Sequence, residues 1–149
     1  AAEYLIKAYS TLGMEYVILR LFSVISDFME RGHTVVSTFI NKAMRGEPLT
    51  VLGEKQARDF IYAGDVAEAF AKAVEKESIK NEIINVSYGK PIRILEIAQV
   101  IRRYFPKIEI RIIKPAEEYT IYADNTKMRN LLGVKPINPL KSIEKIIEN

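Results

Sequence analysis

The segment EYVILRLF, residues 15–22, constrains the fold more than any other part of the chain. Its apolar residues occupy both faces of an extended backbone instead of alternating with polar ones. A strand of that kind needs cover on both sides, as in a parallel sheet flanked by helices. The neighbouring segments have the alternation such a sheet requires. Before it, Leu5, Ala8, Tyr9 and Leu12 recur at helical spacing, Glu3 and Lys7 are expected to pair across one turn, and Gly13 ends the helix. After it, the residues from Val24 to Gly32 have no period and read as loop, and Val35, Phe39, Ile40 and Ala43 mark a helix stopped by Gly46.

The remaining elements continue the pattern. PLTVLG and DFIY read as strands, and the helix after DFIY has a start signal in Asp65, expected to cap free N–H groups while Glu68 reaches back. EIINVSYG is a strand running into a turn at Gly89. Ile94, Ile97, Ala98, Ile101 and Phe105 form one helical face closed by Pro106, and IEIRII alternates with Ile108, Ile110 and Ile112 on one side. A short helix over Lys127 to Leu132 stops at Gly133, and Asn138 with Pro139 opens a last one. Strands and helices alternate throughout, so the expected fold class is α/β.

Charge and composition narrow the partners. The 149 residues carry 22 basic and 19 acidic side chains, a formal charge of +3, and the basic ones are scattered. No nucleic acid and no anionic membrane surface is expected as a partner. No apolar run approaches the ~20 residues of a membrane span. Cysteine is absent, which removes disulfides and thiolate metal sites and suits a cytoplasmic protein, and the single His33 leaves no imidazole cluster for a metal. The opening AAEYLIK lacks an initiating Met and reads as mid-helix, so an excised piece is expected.

Several chemistries are missing from the sequence. The seven glycines never take the GxGxxG spacing, and there is no GxxxxGK and no HExxH. Glu117 and Glu118 are adjacent in an expected loop, where neighbours point apart, so they read as a solvated face and not as a catalytic carboxylate pair. No nucleophile-elbow sequence accompanies the one histidine.

Five segments in order carry a resemblance: VILRLFSV, FINKAMRGEPLTVLG, ARDFIYAGDVAEAF, IINVSYGKPIRILEIA and YADNTKMRNLLGVKP. Together they resemble the C-terminal half of the extended short-chain dehydrogenase/reductase family, in particular its NAD-dependent nucleotide-sugar 4-epimerases, UDP-glucose 4-epimerase-like, and its 4,6-dehydratases. The resemblance implies a Rossmann-type fold with a small α/β substrate-binding domain. Residues 1–23 would end the Rossmann domain, 24–149 would form the substrate-binding region, and segments around 58–86 would pack back on the Rossmann sheet. It implies a nucleoside-diphosphate sugar as substrate, NAD bound mainly by an N-terminal domain, and a homodimer at full length.

The family's chemistry uses a Tyr and a Lys in YxxxK, the Lys lowering the pKa of a phenol that otherwise lies near 10. No YxxxK occurs here; Tyr4 and Lys7 are three apart. In the family the sequence after that motif typically continues AAEYLIKAY, so the resemblance implies that Ala1 lies just past the catalytic Lys, with no catalytic residue in this chain. By resemblance, Arg58 reaches the diphosphate, a place suited to a planar guanidinium that binds two oxygens at once. Asp59 orients the segment or pairs locally. Phe22 lies beside the nicotinamide, and Ser23 takes the place of a substrate-binding Asn. Leu52 stands where an aromatic packs on the base, Asn85 lies near the nucleotide, and Lys114 replaces a second phosphate-binding Arg. Ile25 to Asp27, the shortened GEKQ turn and Ser87 to Gly89 depart from the family pattern. A 4,6-dehydratase or a non-catalytic nucleotide-sugar-binding relative are the alternatives.

Overall fold

The computed structural model describes residues 2–27 and 34–148. β1 (Val17–Leu21) pairs in parallel with β5 (Glu82–Val86), Val17 opposite Glu82 and Leu21 opposite Val86. The parallel strand expected from EYVILRLF is present, but its burial is not: Val17, Ile18 and Leu19 are half-buried, and Arg20 and Leu21 are exposed. The reason is that β1 has β5 on one edge and no strand of the described residues on the other. Phe22 alone separates β1 from β2 (Ser23–Ile25), and at that step the chain exchanges β5 for a new neighbour, β4 (Ala57–Tyr62), which β2 joins in parallel. Val24 and Ile25 therefore belong to a strand and not to the loop expected there. Ser26 and Asp27 are outside any strand, as expected, and the rest of that loop, 28–32, lies outside the described residues, as does His33.

β4 changes partners along its length. Its first half, Ala57 to Asp59, runs antiparallel to β6 (Pro91–Arg93), with Ala57 and Arg58 also parallel to β8 (Thr120–Ile121), whereas its second half, Phe60 to Tyr62, pairs with β2. β3 (Leu49–Leu52) and β7 (Ile110–Ile113) form a separate parallel pair. β7 begins at Ile110 and leaves Ile112 exposed, so the expected one-sided stripe of IEIRII holds only for Ile108 and, in part, Ile110.

The two faces of β4 look into different cores. Phe60 packs with Ile25, Phe39, Leu49, Ile97 and Ile143 under α2 (Val35–Met44), α4 (Ile94–Tyr104) and α5 (Pro139–Glu148). Ile61 packs with Val66, Ile84, Met128, Leu132 and Val134 beneath α3 (Ala63–Glu75) and a π-helical turn, Met128–Leu132, in the place of the short helix expected there. Each fully buried aliphatic side chain contributes about 1.5–3 kcal/mol. Among the described residues no helix is long and apolar enough to cross a membrane.

Helix starts show where local signals decide. Thr34 and Ser37 form a reciprocal capping box at α2: the Ser37 N–H donates to Thr34 Oγ1, and the Thr34 N–H donates to Ser37 Oγ, each at 3.2 Å. Asp65 does not cap α3. The N-cap is Tyr62, and Asp65 is buried in the first turn, where its carboxylate accepts the Ile137 N–H at 3.0 Å. A long-range donor has thus replaced the local one. α1 (Ala2–Ser10) buries no residue, and Glu3 pairs with Arg20 of β1 at 2.6 Å and not with Lys7. A neighbouring strand offers a planar guanidinium in bidentate geometry, which a Lys one turn away cannot match.

Candidate functional site

The sheet strands and α2 enclose a cavity of about 380 Å³. β4 supplies one wall through Arg58 and Phe60, with Gln56 just before the strand; the three share a face because successive residues of an extended chain point to opposite sides. β2 adds Ser23 and Val24, β3 adds Thr50 and Leu52, and the start of α2 adds Thr34 to Val36. Phe39 and Ile94 close the apolar side. The volume is within the range of small-molecule sites.

Arg58 is the one charged residue among the described residues lining this cavity. Its side chain is exposed, and among the described residues it has neither an ion pair nor a hydrogen bond. A guanidinium carries five N–H donors in a planar fork and stays charged at all relevant pH values. With no carboxylate beside it among the described residues, its natural complement is an anion that brings paired oxygens. The hydroxyls of Ser23, Thr34 and Thr50 and the amide of Gln56 add neutral partners around it.

Asp59, next in sequence, points the other way. It is 1% exposed, and its carboxylate accepts the N–H groups of Tyr88 at 2.9 Å, Gly89 at 3.0 Å and Ala123 at 3.1 Å. Burial pushes its carboxyl above the ordinary carboxylate range, and the N–H groups of Ala123 and Gly89 pull against that. Close by, Asn125 Nδ2 donates to the carbonyls of Ser87 and Tyr88, both at 2.9 Å. Of the two expectations for Asp59, orienting the segment describes this arrangement and a local pair does not, since its partners lie 29, 30 and 64 residues away.

The rim beside Leu52 is strapped by a distant loop. Gly53, at φ +78°, donates its N–H to Ile113 O at 2.8 Å, and a Cβ there would lie 2.3 Å from Glu118 Oε1. Glu118 also accepts the Lys55 N–H, and Glu117 accepts the Tyr119 hydroxyl, so the two adjacent carboxylates do diverge.

The family model described as NAD dependent epimerase/dehydratase matches residues 1–87. This chain belongs to the NAD-dependent epimerase/dehydratase family. A protein of Methanocaldococcus jannaschii named "Putative UDP-glucose 4-epimerase" is 36% identical over 99% of this chain and 49% of its own length. UDP-glucuronic acid decarboxylase 4 of Arabidopsis thaliana is 34% identical over 68% of this chain and 24% of its own. The solved UDP-glucuronic acid 4-epimerase of Bacillus cereus, in complex with UDP-glucuronic acid and NAD, superposes with a TM-score of 0.82 at 26% identity, over 98% of this chain and 50% of that one. The chain thus spans about half the length, or less, of the family members it matches, and its α/β fold is the one these epimerases share over that half.

Of the residues that the family resemblance singles out, Ser23, Leu52 and Arg58 meet in the cavity. Phe22, Asn85 and Lys114 do not line it. Phe22 is half-buried and donates its N–H to Val86 O, Asn85 donates its amide to Asp124 O at 3.1 Å, and Lys114 is exposed just past β7. Thr34, Thr50 and Gln56 were not anticipated. Strand periodicity counted back from Arg58 would have found Gln56; nothing local marks the two threonines.

Proposed function

We propose that this chain supplies the substrate-binding portion of an NAD-dependent nucleotide-sugar 4-epimerase, with the UDP moiety of its substrate held in the cavity and Arg58 on the diphosphate. The observation carrying this reading is the unpaired guanidinium of Arg58 in a cavity whose described lining holds no carboxylate. Family membership, and relatives named for UDP-sugars, supply the ligand class. Ser23 and Leu52 contact the ligand beside Arg58. For Phe22, Asn85 and Lys114 the support is the resemblance alone. The division at residues 23 and 24, between the end of a Rossmann domain and a substrate-binding region, belongs to the same reading; it falls inside β2, one residue past the step from β1 at Phe22.

NAD is the family's cofactor, but the residues present do not build a dinucleotide site. There is no glycine fingerprint, and the described cavity offers one cation. No step of the reaction is therefore assigned to this chain's residues.

The test is calorimetric titration of the protein with UDP, UDP-glucose and UDP-glucuronic acid, comparing wild type with Arg58→Ala and Arg58→Lys. Hydrogen bonds to a charged group contribute about 1.5–3 kcal/mol, so Arg58→Ala should weaken UDP binding roughly 10- to 150-fold. Arg58→Lys keeps the charge without the fork and should fall between. Unchanged affinity in Arg58→Ala refutes the reading, and the preferred sugar nucleotide sets its specificity.

A further inference from the structure

β4 pairs with β8 as far as Arg58 and with β6 as far as Asp59, and takes up β2 at Phe60. Where a strand changes neighbours, the segments on either side separate, and backbone N–H groups that a continuous ladder would have paired are left over. Three such groups, on Tyr88, Gly89 and Ala123, converge at this point from two different segments. One buried side chain satisfies all three. A buried N–H without an acceptor costs about 1–3 kcal/mol, so the parting of the strands is stable only while that acceptor is present.

The parting also shapes the cavity. Arg58 is the last cavity-facing residue before it, and Phe60, the next on that face, is opposite Ser23. The position of Arg58 relative to Ser23 therefore depends on how β4 is held at residue 59. We infer that Asp59 is a positioning residue for the anion site: its carboxylate fixes the point at which β4 changes partners and thereby sets Arg58 against the β2 wall. The inference rests on the reading that the cavity binds the UDP moiety, but only in its consequence for binding.

Asp59→Asn tests it in two ways. The substitution keeps the shape and turns one acceptor into an NH2 group facing the N–H donors. The first readout needs no ligand: amide hydrogen exchange along the β2 and β4 pairing, residues 23–25 and 60–62, should accelerate about tenfold or more, corresponding to ~1.4 kcal/mol of local stability. Unchanged exchange there overturns the inference. The second is UDP titration in a double-mutant cycle with Arg58→Ala. Asp59→Asn should weaken UDP binding about tenfold in wild type and have little further effect when Arg58 is absent. An equal effect in both backgrounds means that Asp59 acts only on general stability, and overturns it. If wild type itself fails to bind UDP, the functional reading falls, while the exchange data still decide the role of Asp59. Should Asp59→Asn not fold, Asn125→Ala loosens the same turn more gently by removing the two bonds to Ser87 and Tyr88, and the same two readouts apply.

Discussion

Gly89→Ala gives a sharp test of the packing behind the cavity wall. Gly89 sits at φ +81°, a region that costs an L-residue about 1 kcal/mol. An added Cβ would also come within 2.7 Å of Cγ, Oδ1 and Nδ2 of Asn125. Asn125 is buried and cannot swing into solvent, so relieving the clash disrupts its two bonds to Ser87 and Tyr88, about 1 kcal/mol each. The whole effect is about 3 kcal/mol. For a chain of this size that lowers Tm by roughly 6–12 °C, readable by far-UV circular dichroism or as a shift in urea midpoint. The contributions can be separated. In an Asn125→Ala background the clash has no partner, and the further cost of Gly89→Ala should shrink to the backbone term of about 1 kcal/mol. A single variant within 1 kcal/mol of wild type, or strict additivity in the double variant, would refute the argument.

Two further outcomes follow from the electrostatics. Burial pushes the Asp65 carboxyl above its ordinary 3.8, opposed by the Ile137 N–H and reinforced by Glu68. The native state then holds this proton more tightly than the unfolded state, so Asp65 loses stabilising effect as pH rises from 3.8 through its raised native value. Asp65→Asn keeps an acceptor for Ile137 and cannot ionise. Its Tm relative to wild type should climb over that window and level off above it; a pH-independent gap would count against the assignment. The Tyr104 phenol, hydrogen-bonded to Glu148 at 2.7 Å, is pushed up to about 12. Ultraviolet titration should show Tyr104 among the late-ionising tyrosines, beside Tyr62 and Tyr119, whose phenols are also raised by carboxylate acceptors, and Glu148→Gln should bring Tyr104 alone down.

How much of this was legible beforehand depends on whether the cause was local. The parallel strand EYVILRLF, the helix stops at Gly13, Gly46 and Gly133 and the Asn138 start of α5 follow from neighbouring residues alone, and all are present. β2, β6 and β8 have two or three residues each, too few for a period, and exist because β4 offers edges to them. Asp65 has the spacing of a cap but is claimed by Ile137, 72 residues away. At the site, Arg58 was visible through its flanking pattern, and the cavity that makes it meaningful was not, since its walls come from five separated segments.

β4 is therefore a shared wall with a different tenant on each side, and its sequence has little freedom: Phe60 answers to one core, Ile61 to the other, and Asp59 to two loops. Anyone redesigning the chamber for another ligand should leave that strand untouched and work on Thr50 and Leu52, which line it from β3, an element with lighter obligations.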